Sequence, residues 1–257
     1  MSVRQPLATP QNVVYVYDGS LPGFYCCIHE SVYANELPIA IFSRDNVQPT
    51  LWPQKQIATH EPTAAKVRSA IHKKISLRAL QLTENICFSC LKKKEIYLLR
   101  FLLKGFYKDS HIADILGDPD VSVLLKAETH LLHERHLLLG FVRFSDCGGA
   151  LTASISPKNF ILPYIAGHFI SRFSGENFMI YDKTHKAALI YQNGKKQIIN
   201  AEAFTPPALS PQETYYRNLW KNFYDTVAIQ SRTNPKCRMT HMPKRYWENM
   251  VEMQDQY

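Results

Sequence analysis

The 257-residue chain is 46% hydrophobic and 20% charged, which excludes a disordered polyelectrolyte and leaves apolar surface for one large core or two small ones. Lys and Arg number 30 against 22 Asp and Glu, a formal net charge of +8 that suits polyanionic partners such as nucleic acid. There is no secretory pattern at the start, no apolar run of membrane-spanning length and no disulfide-framework spacing among the six cysteines, so a reducing cytoplasmic setting without membrane contact is expected.

VVYVYDGS (13–20) is β-branched and aromatic up to Asp18-Gly19 and predicts a strand closed by a turn. Residues 23–36 predict a helix with Phe24, Cys27, Ile28 and Val32 on its apolar face. Pro38, Pro49, Pro53 and Pro62 predict mostly loop over 38–62. A helix follows over 63–76, where Val67, Ile71 and Ile75 form one i, i+4 ridge. The next, over 95–107, is apolar around most of its circumference and hence central. Another starts at Asp118-Pro119, cap then first-turn proline, and runs to Gly140.

The apolar period then changes. FVRFSD (141–146), Gly148-Gly149 and ALTASIS (150–156) predict a hairpin, and 161–173 a helix. Residues 178–182, 187–191 and 195–200 predict a meander, with Asn193-Gly194 as a tight turn that tolerates positive φ. A Pro-rich connector (201–211) leads to a last helix over 212–232, with Tyr216, Leu219, Trp220 and Phe223 as its apolar stripe. The sum is an α+β fold: a mostly antiparallel sheet, a helical insert after the first strand, and a C-terminal helix plus basic aromatic tail. The expected domains are a core over 1–204 and, packed on it, the connector, helix and tail over 205–257.

Three groups of residues could carry chemistry. His130, His133 and His136 are spaced for metal binding in pairs, but three successive i+3 steps wind around a helix, so one ion cannot meet all three well. Cys87 and Cys90 form a lone C-x-x-C without two further ligands and read as small buried hydrophobes. No metal or cofactor is therefore expected, and phosphate-loop, dinucleotide and nucleophile-elbow patterns are absent. Arg143, His168, Arg172 and Asp182, joined by Asp18 from the first strand, form a candidate pocket for an anionic group with His168 as acid or base. Spacing alone favours the plainer alternative, a buried Asp–Arg network.

The tail is the most unusual stretch. From Thr226 to Trp247 there is no Asp or Glu, yet Arg232, Lys236, Arg238, Lys244 and Arg245 are present, and Tyr246 and Trp247 follow. Arg232, Lys236, Lys244, Arg245, Tyr246 and Trp247 are the candidate nucleic-acid contacts. The cations would pair phosphates, and the rings would stack on bases or, more commonly, on the protein core.

YVYDGSLPGF (15–24), GFVRF (140–144), HFxxRF (168–173), a strand ending at Asp182, LWxxF (219–223) and NPxxxxxxMPKRYW (234–247) occur in that order. The ordered set resembles a bacterial family of DNA metabolism and repair proteins. That family is itself a domain of unknown function, found alone and paired with a radical-SAM protein, or fused N-terminal to uracil-DNA-glycosylase-like domains. The resemblance spans nearly the whole chain. It implies a role in DNA repair or modification, with DNA and a radical-SAM DNA modification or repair protein as partners, and it implies no defined reaction. The recurrent positions fall on Tyr17, Asp18, Gly19, Gly23, Glu134, His136, Gly140, Phe141, Arg143, Phe144, His168, Phe169, Arg172, Phe173, Asp182, Arg232, Asn234, Pro235, Met242, Pro243, Arg245, Tyr246 and Trp247. Leu137 and Leu139 stand where the family often has basic residues, and base excision is not expected of this chain by itself. The favoured expectation is a non-catalytic DNA-binding or adaptor protein. The alternative is an enzyme acting on DNA or nucleotides through Arg143, His168, Arg172 and Asp182.

Overall fold

The computed structural model describes residues 11–108, 110–202, 204–205 and 209–256. The chain divides into two compact units, one ending at Leu131 and one starting at Leu132. The boundary expected at 204/205 falls inside the second.

In the first unit, β1 (Gln11–Tyr17) is the middle strand of a three-stranded sheet, between β2 (Pro38–Ser43) and β3 (Gln54–Gln56). Both neighbours run parallel to it. Here two expectations are corrected: this sheet is parallel, and the proline-rich segment holds two strands rather than mostly loop. The prolines fit because Pro38 opens β2 and Pro53 precedes β3, positions where a missing N–H costs the ladder little. Parallel pairing follows from α1 (Leu21–Ala34), which carries the chain from the end of β1 back to the start of β2. Tyr15, Val16 and Tyr17 are consecutive and buried, as a strand covered on both faces requires.

The β1–α1 turn is built around Asp18. Its carboxylate accepts from the Ser20 N–H (2.9 Å), the Ser20 hydroxyl (2.7 Å) and the Thr59 hydroxyl (2.6 Å). Ser20 then caps α1 by accepting from the Gly23 N–H. Gly23 has to lack a side chain, since a Cβ there would stand 2.2 Å from Asp18 Oδ1.

Four further helices belong wholly or partly to this unit: α2 (Glu61–Lys74), α3 (Leu77–Cys87), α4 (Lys94–Tyr107) and the first part of α5 (Pro119–Phe141). α4 is central as expected, with Leu98, Leu99, Phe101 and Leu102 fully buried. Asp118 caps α5 by accepting from the Asp120 N–H, and α3 is tied to α5 by the two-pronged Arg78–Glu128 pair.

In the second unit, β4 (Ser145–Asp146), β5 (Leu151–Ile155), β6 (Phe178–Asp182), β7 (Ala187–Gln192) and β8 (Lys195–Asn200) form a five-stranded sheet in that spatial order. β5 and β6 pair in parallel and the other neighbours are antiparallel, so this sheet is mixed rather than mostly antiparallel. The cause is α6 (Leu162–Arg172), a crossover helix that returns the chain to the same end of the sheet. Asn193 and Gly194, at φ 51° and 76°, make the β7–β8 turn. Residues 142–144 are the link from α5 to β4, so Arg143 stands in a helix-to-strand connection and not on a strand.

The chain then enters α7 (Pro211–Val227), capped by Ser210, and α8 (Pro235–His241), capped by Asn234. Two 3-10 segments, Lys244–Asn249 and Val251–Gln256, close the described chain. Among the described residues no helix is long and apolar enough to cross a membrane.

Candidate nucleic-acid interface

The tail is anchored by one buried carboxylate. Glu134 on α5 is 1% exposed and accepts from the N–H groups of Lys158 and Asn159 (3.0 and 2.8 Å) and the Asn159 side-chain amide (2.7 Å). It also accepts from the Tyr246 hydroxyl (2.9 Å) and Arg245 Nη2 (2.8 Å). Burial opposes ionisation of Glu134, but these donors outweigh it and hold its carboxyl below the usual range. Burial, and then the charge of Glu134, push the Tyr246 hydroxyl upward. The Trp247 indole N–H donates to the Met242 carbonyl at 2.9 Å. Arg238 and Lys244 lie against the Trp247 ring at 5.8 and 5.7 Å.

This geometry sorts the six tail candidates. Tyr246 and Trp247 are 2% and 5% exposed and Arg245 is committed to Glu134, so these three hold the tail in place. Arg232, Lys236 and Lys244 are exposed. The NP pair also has a local cause: Asn234 Oδ1 accepts from the Cys237 N–H while Pro235 takes the first helical turn, where no N–H is needed. The end of α7 and the start of α8 border a groove of about 560 Å³ whose lining includes Tyr224, Asp225, Arg232, Asn234 and Arg238.

A second carboxylate, Glu252, organises the neighbouring site. Its side chain is 2% exposed and pairs with Arg143 through Nη2 (2.6 Å) and Nε (3.3 Å). Arg143 Nη1 donates to the carbonyls of Gly140 (2.7 Å) and Val142 (3.3 Å), and its guanidinium lies 5.8 Å from the Trp220 ring. The Trp220 N–H donates to Glu252 at 3.1 Å. Burial works against ionisation of Glu252, but Arg143 and the other donors prevail and lower its titration.

Arg143, Arg172 and Arg217 line a cavity of about 560 Å³ with the rings of Phe144, Tyr216 and Trp220. Within it Glu213 is held by Arg217 Nε (2.9 Å) and the Asp146 N–H (3.2 Å). Arg172 is exposed, lies 5.8 Å from the Phe173 ring and has no carboxylate partner among the described residues.

The five residues of the predicted pocket part company. Arg143 and Arg172 share this cavity. His168 does not line it; the ring is exposed and meets Phe169 edge-on at 5.0 Å. Asp182 is fully buried and accepts from the N–H groups of Thr184 and His185 and from His185 Nδ1 (2.7 Å), which fixes the β6–β7 turn. Asp18 belongs to the first unit and is occupied by its own turn. Among the described residues no three His, Cys, Asp or Glu side chains group as a metal site. Burial pushes the Cys87 thiol up to about 12, while Cys90, expected to be a buried hydrophobe, is exposed.

Residues 132–252 therefore define an α+β module whose buried carboxylates Glu134 and Glu252 hold a basic, aromatic C-terminal segment against a mixed sheet. The model of Domain of unknown function DUF4130 matches residues 92–252, more than half of the chain, and the chain belongs to this family. The YVYDGSLPGF segment precedes the matched residues. No curated protein and no solved structure matches the chain.

Proposed function

We propose that the chain is a nucleic-acid-binding protein of DNA repair or modification, acting as a non-catalytic adaptor for a radical-SAM or uracil-DNA-glycosylase-like enzyme. One observation carries the DNA-binding half: the acid-free tail is fixed by Tyr246, Trp247 and Arg245 while Arg232, Lys236 and Lys244 remain in solvent. Held cations in a stretch that carries no Asp or Glu of its own are suited to phosphates, and counterion release would supply the affinity. The partner half rests on the family resemblance. The alternative, catalysis by Arg143, His168, Arg172 and Asp182, is less favoured because only the two arginines share a cavity and its Glu213 is already bonded.

Fluorescence anisotropy with single-stranded and duplex DNA tests the reading. Binding should weaken steeply with salt. Substitution of Arg232, Lys236 and Lys244 together by Ala should lower the salt slope on single strands by about 2, at roughly 0.7 for each phosphate that is no longer neutralised. Failure of the chain to bind either DNA, together with failure to co-purify with a co-expressed radical-SAM partner, would end the proposal.

A further inference from the structure

We infer that the cavity between the α5–β4 link, α6 and α7 takes one unpaired nucleotide, with its base against Tyr216 and Trp220 and its phosphate on Arg172. This rests on the nucleic-acid reading above and names what the second unit would recognise.

Three features argue for it. The first is size, since about 560 Å³ lies within the roughly 300–1,000 Å³ range of small-ligand sites. The second is the wall. Tyr216 and Trp220 are i, i+4 on α7 and remain 57% and 41% exposed, which leaves ring surface for a planar partner. Stacking on aromatic rings accepts any base and is the usual device for holding single strands. Duplex DNA cannot offer a base to such a wall without unstacking it.

The third is the charge arrangement. Arg143 is neutralised by Glu252, and Arg217 by Glu213, so these two shape the cavity, and Arg143 also lies against the Trp220 ring. Arg172 alone among the three lining arginines keeps an uncompensated charge among the described residues, and it lies at an exposed position. One free guanidinium beside a pair of exposed rings matches a single nucleotide with one phosphate better than it matches a long phosphate track. Such a track is the character of the Arg232, Lys236 and Lys244 surface instead. The two sites differ in what they read: the tail reads charge and the cavity reads an unpaired base.

The test uses the full chain, a short oligo-dT, a duplex of the same length, and thymidine 5′-monophosphate, thymidine and inorganic phosphate as small probes. Tyr216→Ala and Arg172→Gln are the variants, both at exposed positions where the fold does not depend on the side chain. Each should weaken oligo-dT binding about tenfold, consistent with one stacked base or one phosphate contact. Duplex affinity should stay within twofold of the parent chain. Arg172→Gln should lower the salt slope on oligo-dT by about 0.7, and Tyr216→Ala should leave it unchanged. Thymidine monophosphate should compete better than thymidine or phosphate. If both variants bind oligo-dT like the parent while the tail variant loses binding, the cavity inference falls and the tail reading stands. If the parent binds no DNA at all, both fall.

Discussion

Two Tyr and Trp pairs in the second unit end differently. Trp220 and Trp247 each have an arginine against the ring at 5.8 Å, Arg143 and Arg238 respectively. Yet Tyr246 and Trp247 are 2% and 5% exposed, while Tyr216 and Trp220 are 57% and 41% exposed. One difference lies in the acceptors of the two tyrosines. The tail pair meets Glu134 and the Met242 carbonyl, so both polar tips are satisfied inside the protein. On α7 only Trp220 finds an acceptor, Glu252, and the Tyr216 hydroxyl has no partner among the described residues. A partner favours burial of an aromatic with a polar tip, because an unsatisfied buried hydroxyl or N–H costs about 1–3 kcal/mol. The tail pair thus became core, and the α7 pair stayed in solvent.

The most severe way to break the contrast is Glu134→Ala. It leaves Arg245 without its counter-charge and two backbone N–H groups without an acceptor. Unfolding free energy should fall by roughly 3–5 kcal/mol, the usual range for removing one member of a buried pair. Chemical denaturation measures this, and the Trp247 emission should shift to the red as the tail loosens. A loss under about 1 kcal/mol, the level of an exposed pair, would mean that the tail is held by apolar packing and not by the carboxylate.

How much of this is legible in the sequence follows the same physics. Period and cap signals are local, so the α4, α5 and α6 helices, the β6–β8 meander and the Asn193-Gly194 turn can be read directly from residues. The mixed character of the sheet cannot, because parallel pairing of β5 with β6 depends on where α6 delivers the chain and not on the composition of either strand. The two strands within 38–62 are masked by prolines standing at strand starts. For the site, the cationic tail and the residues Arg143 and Arg172, which do meet in one cavity, are visible as candidates. Glu252 is not, since it lies 109 residues from Arg143 and no motif marks it. Glu134 stands in sequence only as an acid inside a histidine run and a recurrent family position, while its five donors come from separate places in the chain. The apolar stripe of α7 is periodic, but periodicity does not say whether a face is covered: α7 has no fully buried residue.

A milder test acts on the other carboxylate and on pH. Glu252→Gln keeps the shape and removes the charge that Arg143 and Trp220 share, which should cost about 1.5–3 kcal/mol. Glu134 and Glu252 both titrate below their ordinary value of 4.5 in the folded chain. The sign follows by linkage: a lowered folded value means a stabilising contribution that is complete above 4.5 and is lost as pH falls through the folded value. Denaturation midpoints taken from about pH 6 down to about pH 3 should therefore decline toward acid in the parent. Glu134→Gln and Glu252→Gln should each flatten that decline. A parent whose stability is constant over this range would contradict the assignment of either carboxylate as a charged anchor.

The smallest expected effect sits on α7, where the contrast is sharpest. Phe223 is 58% exposed and stacks on Trp220 at 5.8 Å. Phe and Ser have similar helix propensity, so Phe223→Ser changes little besides an exposed ring. Stability should move by about 0.5 kcal/mol or less, as for most surface substitutions away from caps and networks. A thermal melt at two protein concentrations checks this and also tests the premise. If the variant loses much more, and the parent grows more stable with protein concentration, the ring is covered by a second copy in solution. The Tyr216 and Trp220 surface would then be shared with that copy, and DNA would have to compete with self-association for it. If the variant melts like the parent at both concentrations, the α7 rings face solvent, which is the condition any stacked base needs.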